Sequence, residues 1–203
     1  MAANQILLAT RNARKLGELR RILSPLIEVE VLGLDDVPAY AEAPETGATF
    51  AENALLKAAE AVAHTGLIAV ADDSGLAVDA LNGMPGVLSA RWAGAARNDD
   101  ANLELVLQQL ADTPDDRLGA AFVCAAALAT PGGVEVVRQG RMSGRLIRQR
   151  RGGNGFGYDP IFVPDGCQQT SAELEPAAKD QISHRGQALR ALLPEVLAAL
   201  RAR

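Results

Sequence analysis

The sequence predicts a mixed α/β fold with an elongated central sheet flanked by helices, and three observations carry that expectation. Short apolar runs alternate with stretches of helical spacing along the chain. Two of those runs stop abruptly in polar clusters, Thr10-Arg11-Asn12 and Asp72-Asp73-Ser74-Gly75, the pattern of strands that end at a site. The final segment puts Leu189, Leu192, Leu193, Val196, Leu197 and Leu200 on one helical face, as packing onto a sheet requires.

Each element follows in order. Residues 5–9 form an apolar run that meets Thr10-Arg11-Asn12, which reads as strand, loop and helix start. The helix brings Leu16, Leu19, Ile22, Leu23 and Leu26 near one face, and Ser24-Pro25 leaves its end open. A second strand is expected over 29–32. Alanine and leucine favour helix over 49–63, Gly66 breaks it, and a buried strand over 67–71 delivers Asp72-Asp73-Ser74-Gly75 to a loop. Another helix is expected over 98–111. The β-rich segments 119–129 and 133–142 read as a hairpin turning at Pro131-Gly132-Gly133, available to a second lobe. The last helix is expected to begin near Ser183.

Composition bounds the function. With 203 residues, 48% hydrophobic and 22% charged, the chain can bury a real core as a single domain over 1–203. A formal net charge of −5 argues against a partner such as long nucleic acid, which is met by broad basic surfaces, but is compatible with a small phosphorylated ligand. Cys124 and Cys167 stand outside any C-x-x-C pair and read as reduced thiols. Met1-Ala2-Ala3-Asn4-Gln5 leads into an apolar stretch too short for a signal or a membrane span, so a cytoplasmic protein is expected.

Five segments carry chemistry-bearing residues. Thr10-Arg11-Asn12-Ala13-Arg14-Lys15 sits where a strand opens into a helix whose free N–H groups favour phosphate; an N-cap with a solvated basic face explains the same residues. In the stretch from Glu45 to Lys57, a loop carboxylate precedes a helix on which Asn53 and Lys57 share a face. Thr49 and Glu52 fit a capping box, which leaves Glu45 unexplained. Asp72-Asp73-Ser74-Gly75 puts adjacent carboxylates at a strand end, where they repel unless a cation or hydrogen bonds compensate them; magnesium and an acidic turn are both compatible readings. Gly155-Phe156-Gly157-Tyr158-Asp159 lies in a glycine-rich loop where Phe156 offers a stacking face, with Tyr158 and Phe162 more at home in the core. Lys179-Asp180-Gln181-Ile182-Ser183-His184-Arg185 marks the entrance to the last helix, with Ser183 as a possible N-cap.

Taken together and in this order, these segments resemble the inosine triphosphate pyrophosphatase family, also called dITP/XTP pyrophosphatases. The resemblance spans nearly the whole chain and is carried most specifically by the 45–57 block, Ala71-Asp72-Asp73-Ser74-Gly75-Leu76, Gly155-Phe156-Gly157-Tyr158-Asp159-Pro160 and Ser183-His184-Arg185. It implies two lobes with a nucleotide cleft between them, a homodimer, and a Mg2+-dependent hydrolysis of ITP, dITP and XTP between the α and β phosphates. By position it implies that Thr10, Arg11, Asn12, Ala13, Arg14, Lys15 and Lys57 hold phosphates, that Glu45 and Asp73 hold the metal with Asp73 as general base, and that Ser74 touches the nucleotide. Phe156, Gly157, Tyr158, Asp159, Lys179, His184 and Arg185 would form the base pocket, Arg185 donating to the C6 carbonyl that adenine lacks. Arg11, Met142 and Arg150 depart from the family pattern, where glycine, tryptophan and proline are frequent. A noncatalytic nucleotide-binding module is the competing expectation, and Glu45, Lys57 and Asp73 together favour the enzyme.

Overall fold

A computed structural model describes residues 5–25 and 29–202. Among these, the strands are β1 (Gln5–Leu8), β2 (Glu30–Gly33), β3 (Ile68–Val78), β4 (Gly119–Ala129), β5 (Glu135–Leu146) and β6 (Phe162–Pro164). The helices are α1 (Ala13–Leu23), α2 (Phe50–Thr65), α3 (Asp99–Gln109), α4 (Pro176–Ile182) and α5 (His184–Arg201). The strands form one mixed sheet in the order β2-β1-β3-β4-β5-β6. β1 runs parallel to β2 and to β3, with Ile6 opposite Val31 and Ile68, whereas β5 and β6 are antiparallel.

The chain divides into two compact units. The first takes residues up to 73, 124–140 and from 185 on; the second takes 74–123 and 141–184. β3, β4 and β5 each contribute to both units, so the 119–129 and 133–142 segments enter the second unit only in part, over 119–123 and from 141 on. Strand signals report pairing and not how a long strand is shared.

In the first unit the two faces of the sheet are buried by different helices. Ile6, Leu8, Ile68, Val70, Cys124, Ala126 and Leu128 pack with Leu19, Ile22 and Leu23 of α1 and Leu189, Leu192, Val196 and Leu200 of α5. The alternate residues Leu7, Ala9, Ala69, Ala71, Ala125, Ala127 and Ala129 pack with Ala54, Ala58 and Ala61 of α2. Period-two alternation in the strands produces this division. Alanine dominates this contact, nine of the eleven buried residues of the cluster, with Leu7 and Leu34 the exceptions. Leu26, expected to extend the α1 face, lies outside the described residues. The second unit has its own core of Leu76, Val78, Leu103, Val106, Phe122, Tyr158, Ile161 and Phe162.

Most boundaries match the expectation within a few residues, but two differ. The acidic segment is no loop: β3 runs unbroken through Asp72-Asp73-Ser74-Gly75 to Val78. The last helix is preceded by a separate one, so Lys179 and Asp180 belong to α4, and His184 and Arg185 open α5.

Candidate active site

The alternation of β3 decides what the adjacent carboxylates do. Asp72 falls in phase with Ile68 and Val70, on the face covered by α1 and α5; Asp73 falls in phase with Ala69 and Ala71, on the face covered by α2.

The Asp72 side chain is wholly buried, and its Oδ2 accepts from Lys15 Nζ at 3.1 Å and Arg185 Nε at 3.2 Å. Arg185 also donates through Nη1 to Glu18, itself buried. Burial alone would push the Asp72 carboxyl up, but Lys15, Arg185 and Lys57 outweigh it and hold it far below the ordinary carboxylate range. Arg185 is likewise kept charged: Asp72 and Glu18 overcome the cost of its burial. Cys124 lies 4.0 Å from Asp72 Oδ2, and burial first, then Asp72, pushes its thiol up to about 12. Such a thiol is inert at neutral pH.

Asp73 has the opposite environment. Its Oδ1 accepts from Lys57 Nζ at 3.3 Å and its Oδ2 from Asn53 Nδ2 at 3.1 Å, both side chains reaching from α2. Lys57 Nζ also donates to Glu45 at 3.0 Å. Burial raises the Asp73 carboxyl above its ordinary value, aided by Glu45 and only partly offset by Lys57, Lys15 and Asn53. Burial opposes the charge on Lys57, yet Asp73, Asp72 and Glu45 together raise its pKa. A desolvated, proton-seeking carboxylate beside an ammonium and a second carboxylate is the arrangement of a general base next to an anion-binding charge.

Thr10, Arg11, Asn12, Ala13 and Arg14 lie at the start of α1, largely exposed. Asn12 caps the helix, its Oδ1 accepting from Arg14 N at 3.0 Å and Lys15 N at 3.2 Å. Arg11 is turned to Glu42. Lys15 and Lys57, expected on phosphate, here balance carboxylates.

In the second unit the glycine-rich loop is built around Asp159. Its buried Oδ2 accepts from Lys179 Nζ at 2.6 Å and from Phe156 N at 2.8 Å. Gly155 has φ +76 and sits so close to the Asp159 carboxylate that a Cβ there would collide with it, so the loop needs glycine on both counts. Lys179 Nζ stands 5.6 Å from the centroid of the Phe156 ring, within cation–π range. Gly157 N donates to Asp99 Oδ2 at 3.1 Å, and Tyr158 OH donates to Ser89 O at 2.8 Å. Tyr158 is core, as expected, and burial raises its hydroxyl pKa. His184 is buried and stacked on Phe122, ring centroids 5.0 Å apart. Ser74 is half-buried in β3.

Sequence reasoning missed Glu18, Asp99 and the structural role of Asp72. Glu18 could have been found as the residue one turn after Lys15, on the same face of α1. Asp99 could have been found only as the first residue of an acidic helix start.

Among the described residues, no cluster of three or more His, Cys, Asp or Glu side chains could hold a metal ion alone. Glu45 and Asp73 nevertheless converge on one ammonium, and magnesium is often held by one or two carboxylates plus substrate phosphates. The donor set therefore fits a divalent cation that shares its ligands with a phosphorylated substrate.

The model of the Ham1 family matches residues 6–195. A dITP/XTP pyrophosphatase of Nocardia farcinica is 62% identical over 202 residues, covering 98% of each chain. The crystal structure of a nucleoside-triphosphatase, or dITP/XTP pyrophosphatase, of Mycobacterium abscessus is 62% identical and superposes with a TM-score of 0.76 over 94% of this chain and 99% of its own. The Ham1 protein of Staphylococcus aureus, 38% identical, superposes with a TM-score of 0.84 over 96% of this chain and 98% of its own. This chain belongs to the Ham1 family.

Proposed function

We propose that this chain is a Mg2+-dependent nucleoside-triphosphate pyrophosphatase that hydrolyses ITP, dITP and XTP between the α and β phosphates, releasing the monophosphate and pyrophosphate. The dITP/XTP pyrophosphatases it resembles over nearly their full length support the substrate class. The observation that carries the chemistry is the buried Asp73 carboxylate held between Lys57 and Asn53, with Glu45 on the same ammonium.

Bound magnesium would supply charge neutralisation on the triphosphate, and Glu45 and Asp73 are the residues to hold it. Asp73 accepts the proton of the attacking water, a role open to a carboxylate that stays ionised beside a cation. Asn53, donating to Oδ2, fixes the orientation of the carboxylate. Lys57 and Lys15 exchange their carboxylate partners for phosphate oxygens when substrate arrives, and Thr10, Asn12 and the start of α1 add donors. Phe156 stacks on the purine, with Lys179 and Asp159 fixing the loop that presents it. Arg185 reads the C6 carbonyl with a fork whose orientation Asp72 and Glu18 hold, and His184 supports it.

The 203 residues act as one catalytic domain. The family resemblance supports a homodimer, and the formal net charge of −5 supports a small-molecule substrate over long nucleic acid. No described helix is long and apolar enough to cross a membrane, and a cytoplasmic address suits a nucleotide-pool enzyme. Pyrophosphate release across ITP, XTP, dITP, GTP, ATP and CTP tests the proposal. Turnover concentrated on the first three is expected; equal turnover on ATP, or no release from any of them, overturns it.

A further inference from the structure

Residues 37–49 form no regular secondary structure beyond bends at their two ends, yet they carry Glu45. What holds this strap is a single stripe of α2. Asn53, Lys57, Glu60 and His64 follow one another at spacings of four, three and four, which places all four on one helical face. The strap meets them in reverse order. Gly47 N donates to Asn53 Oδ1 at 2.7 Å, Glu45 accepts from Lys57 Nζ at 3.0 Å, and Ala43 N donates to Glu60 Oε1 at 2.8 Å. The Tyr40 ring then stacks on His64, centroids 4.4 Å apart and planes 10° apart.

These contacts run antiparallel over a helical length of about 16 Å. A Cβ on Gly47 would collide with Asn53, so the strap lies against the helix and not merely near it. Arg11 ties the strap to the start of α1 through Glu42, and Ala48 N donates to Glu52 Oε2 at 2.7 Å. Two members of the stripe, Asn53 and Lys57, also touch Asp73. The other two, Glu60 and His64, touch only the strap among the contacts described, on the far side of Glu45 from Asn53.

We propose that Glu60 and His64 are positioning residues: they fasten the strap to α2 so that the Glu45 carboxylate is held beside Lys57 and Asp73, and thereby set the affinity for the divalent cation. This rests on the reading of Glu45 as a metal ligand. Glu60 and His64 themselves touch no reacting group. Their removal frees the strap to swing, which costs Glu45 its fixed place without altering the phosphate contacts of Lys57.

The test uses the whole chain with Glu60→Ala, Glu60→Gln, His64→Ala and Glu45→Gln. Three readouts are taken: amide hydrogen exchange at Ala43, Gly47 and Ala48, binding of Mn2+ to the ligand-free enzyme by paramagnetic resonance, and the Mg2+ concentration that half-activates ITP hydrolysis. A net hydrogen bond, as for Glu60, or a stacked aromatic pair, as for His64, each corresponds to about fivefold in an equilibrium. Glu60→Ala and His64→Ala should therefore each accelerate exchange of the strap amides by about fivefold and weaken Mn2+ binding and Mg2+ activation by a similar factor. The ITP KM at saturating Mg2+ should stay near that of the unmodified enzyme. Glu60→Gln, which keeps an oxygen acceptor for Ala43 N, should restore all three readouts. If strap exchange accelerates in Glu60→Ala while Mn2+ binding and Mg2+ activation do not change, and Glu45→Gln weakens both, the positioning role is overturned and the metal reading stands. If Glu45→Gln itself leaves both unchanged, the metal reading fails and takes this inference with it. Unchanged strap exchange in both alanine variants overturns the fastening itself.

Discussion

Replacing Asp72 by asparagine keeps the volume of the side chain and removes its charge. In the native state that charge has no solvent exposure and is shared by Lys15 Nζ at 3.1 Å and Arg185 Nε at 3.2 Å. Breaking a buried ion pair from one side costs about 3–5 kcal/mol, because the remaining charge is left uncompensated. Here Arg185 retains Glu18 and the Lys15 side chain keeps 15% of its exposure, which places the expected loss near 3 kcal/mol, at the lower end of that range. For a domain of this size the loss corresponds to a fall in Tm of about 6–12 °C. With native stabilities of about 5–15 kcal/mol the variant should still fold at 25 °C. Differential scanning calorimetry of Asp72→Asn, with circular dichroism to confirm folding, measures it. A Tm within 2 °C of the parent, roughly what 1 kcal/mol or less would give, would refute the assignment of Asp72 as a buried structural charge.

Further outcomes follow from the same contacts. The stability contribution of Asp72 depends on pH with a definite sign. Its native pKa is lowered, so its contribution is present above the unfolded carboxylate value of about 4 and is lost as pH falls from there toward the native value. The Tm gap between parent and Asp72→Asn should accordingly be constant from pH 7 to 5 and shrink at pH 3, and a constant gap across that range would contradict it. Lys57→Ala removes a charged donor from both Glu45 and Asp73. At about 1.5–3 kcal/mol for such a bond, kcat/KM for ITP should fall by at least tenfold, and a normal value would make Lys57 a bystander. Arg185→Lys keeps a charge for Asp72 but loses the fork, so the ITP-to-ATP ratio of kcat/KM should shrink while the fold survives. Equal losses on ITP, XTP and ATP would assign Arg185 to the fold or the phosphates alone.

Much of this was legible in the sequence. The α2 boundaries were readable because Thr49 and Gly66 punctuate them chemically, and Thr49 indeed accepts from Glu52 N at 3.1 Å. The reciprocal half of the capping box was not, since Glu52 turns to Ala48 N. The 155–159 motif located a loop whose aromatic and carboxylate meet. What stayed hidden were pairings over long separations. Two carboxylates inside a strand contradict every local preference, and a loop was the natural expectation. Within β3 Asp72 is met by Lys15 and Arg185, 57 and 113 residues away, and Asp73 by Asn53 and Lys57 of α2. The alternation that sends Asp72 and Asp73 to opposite faces follows from the strand itself, but only once the strand is known to continue. His184 stood out in the sequence by its motif, whereas its stacking on Phe122 depends on how β4 meets the start of α5, which no local pattern encodes.

The central claim, that Asp73 is the base and Asp72 its structural neighbour, is tested most directly by the turnover of Asp73→Asn on ITP at saturating Mg2+, followed as IMP and pyrophosphate. Asparagine retains the shape of the side chain and its contact with Lys57 but cannot take a proton at neutral pH. The account predicts a folded variant whose kcat is lower by about a hundredfold or more, the scale of general base catalysis. A folded Asp73→Asn enzyme that forms IMP and pyrophosphate at the parent rate would contradict it.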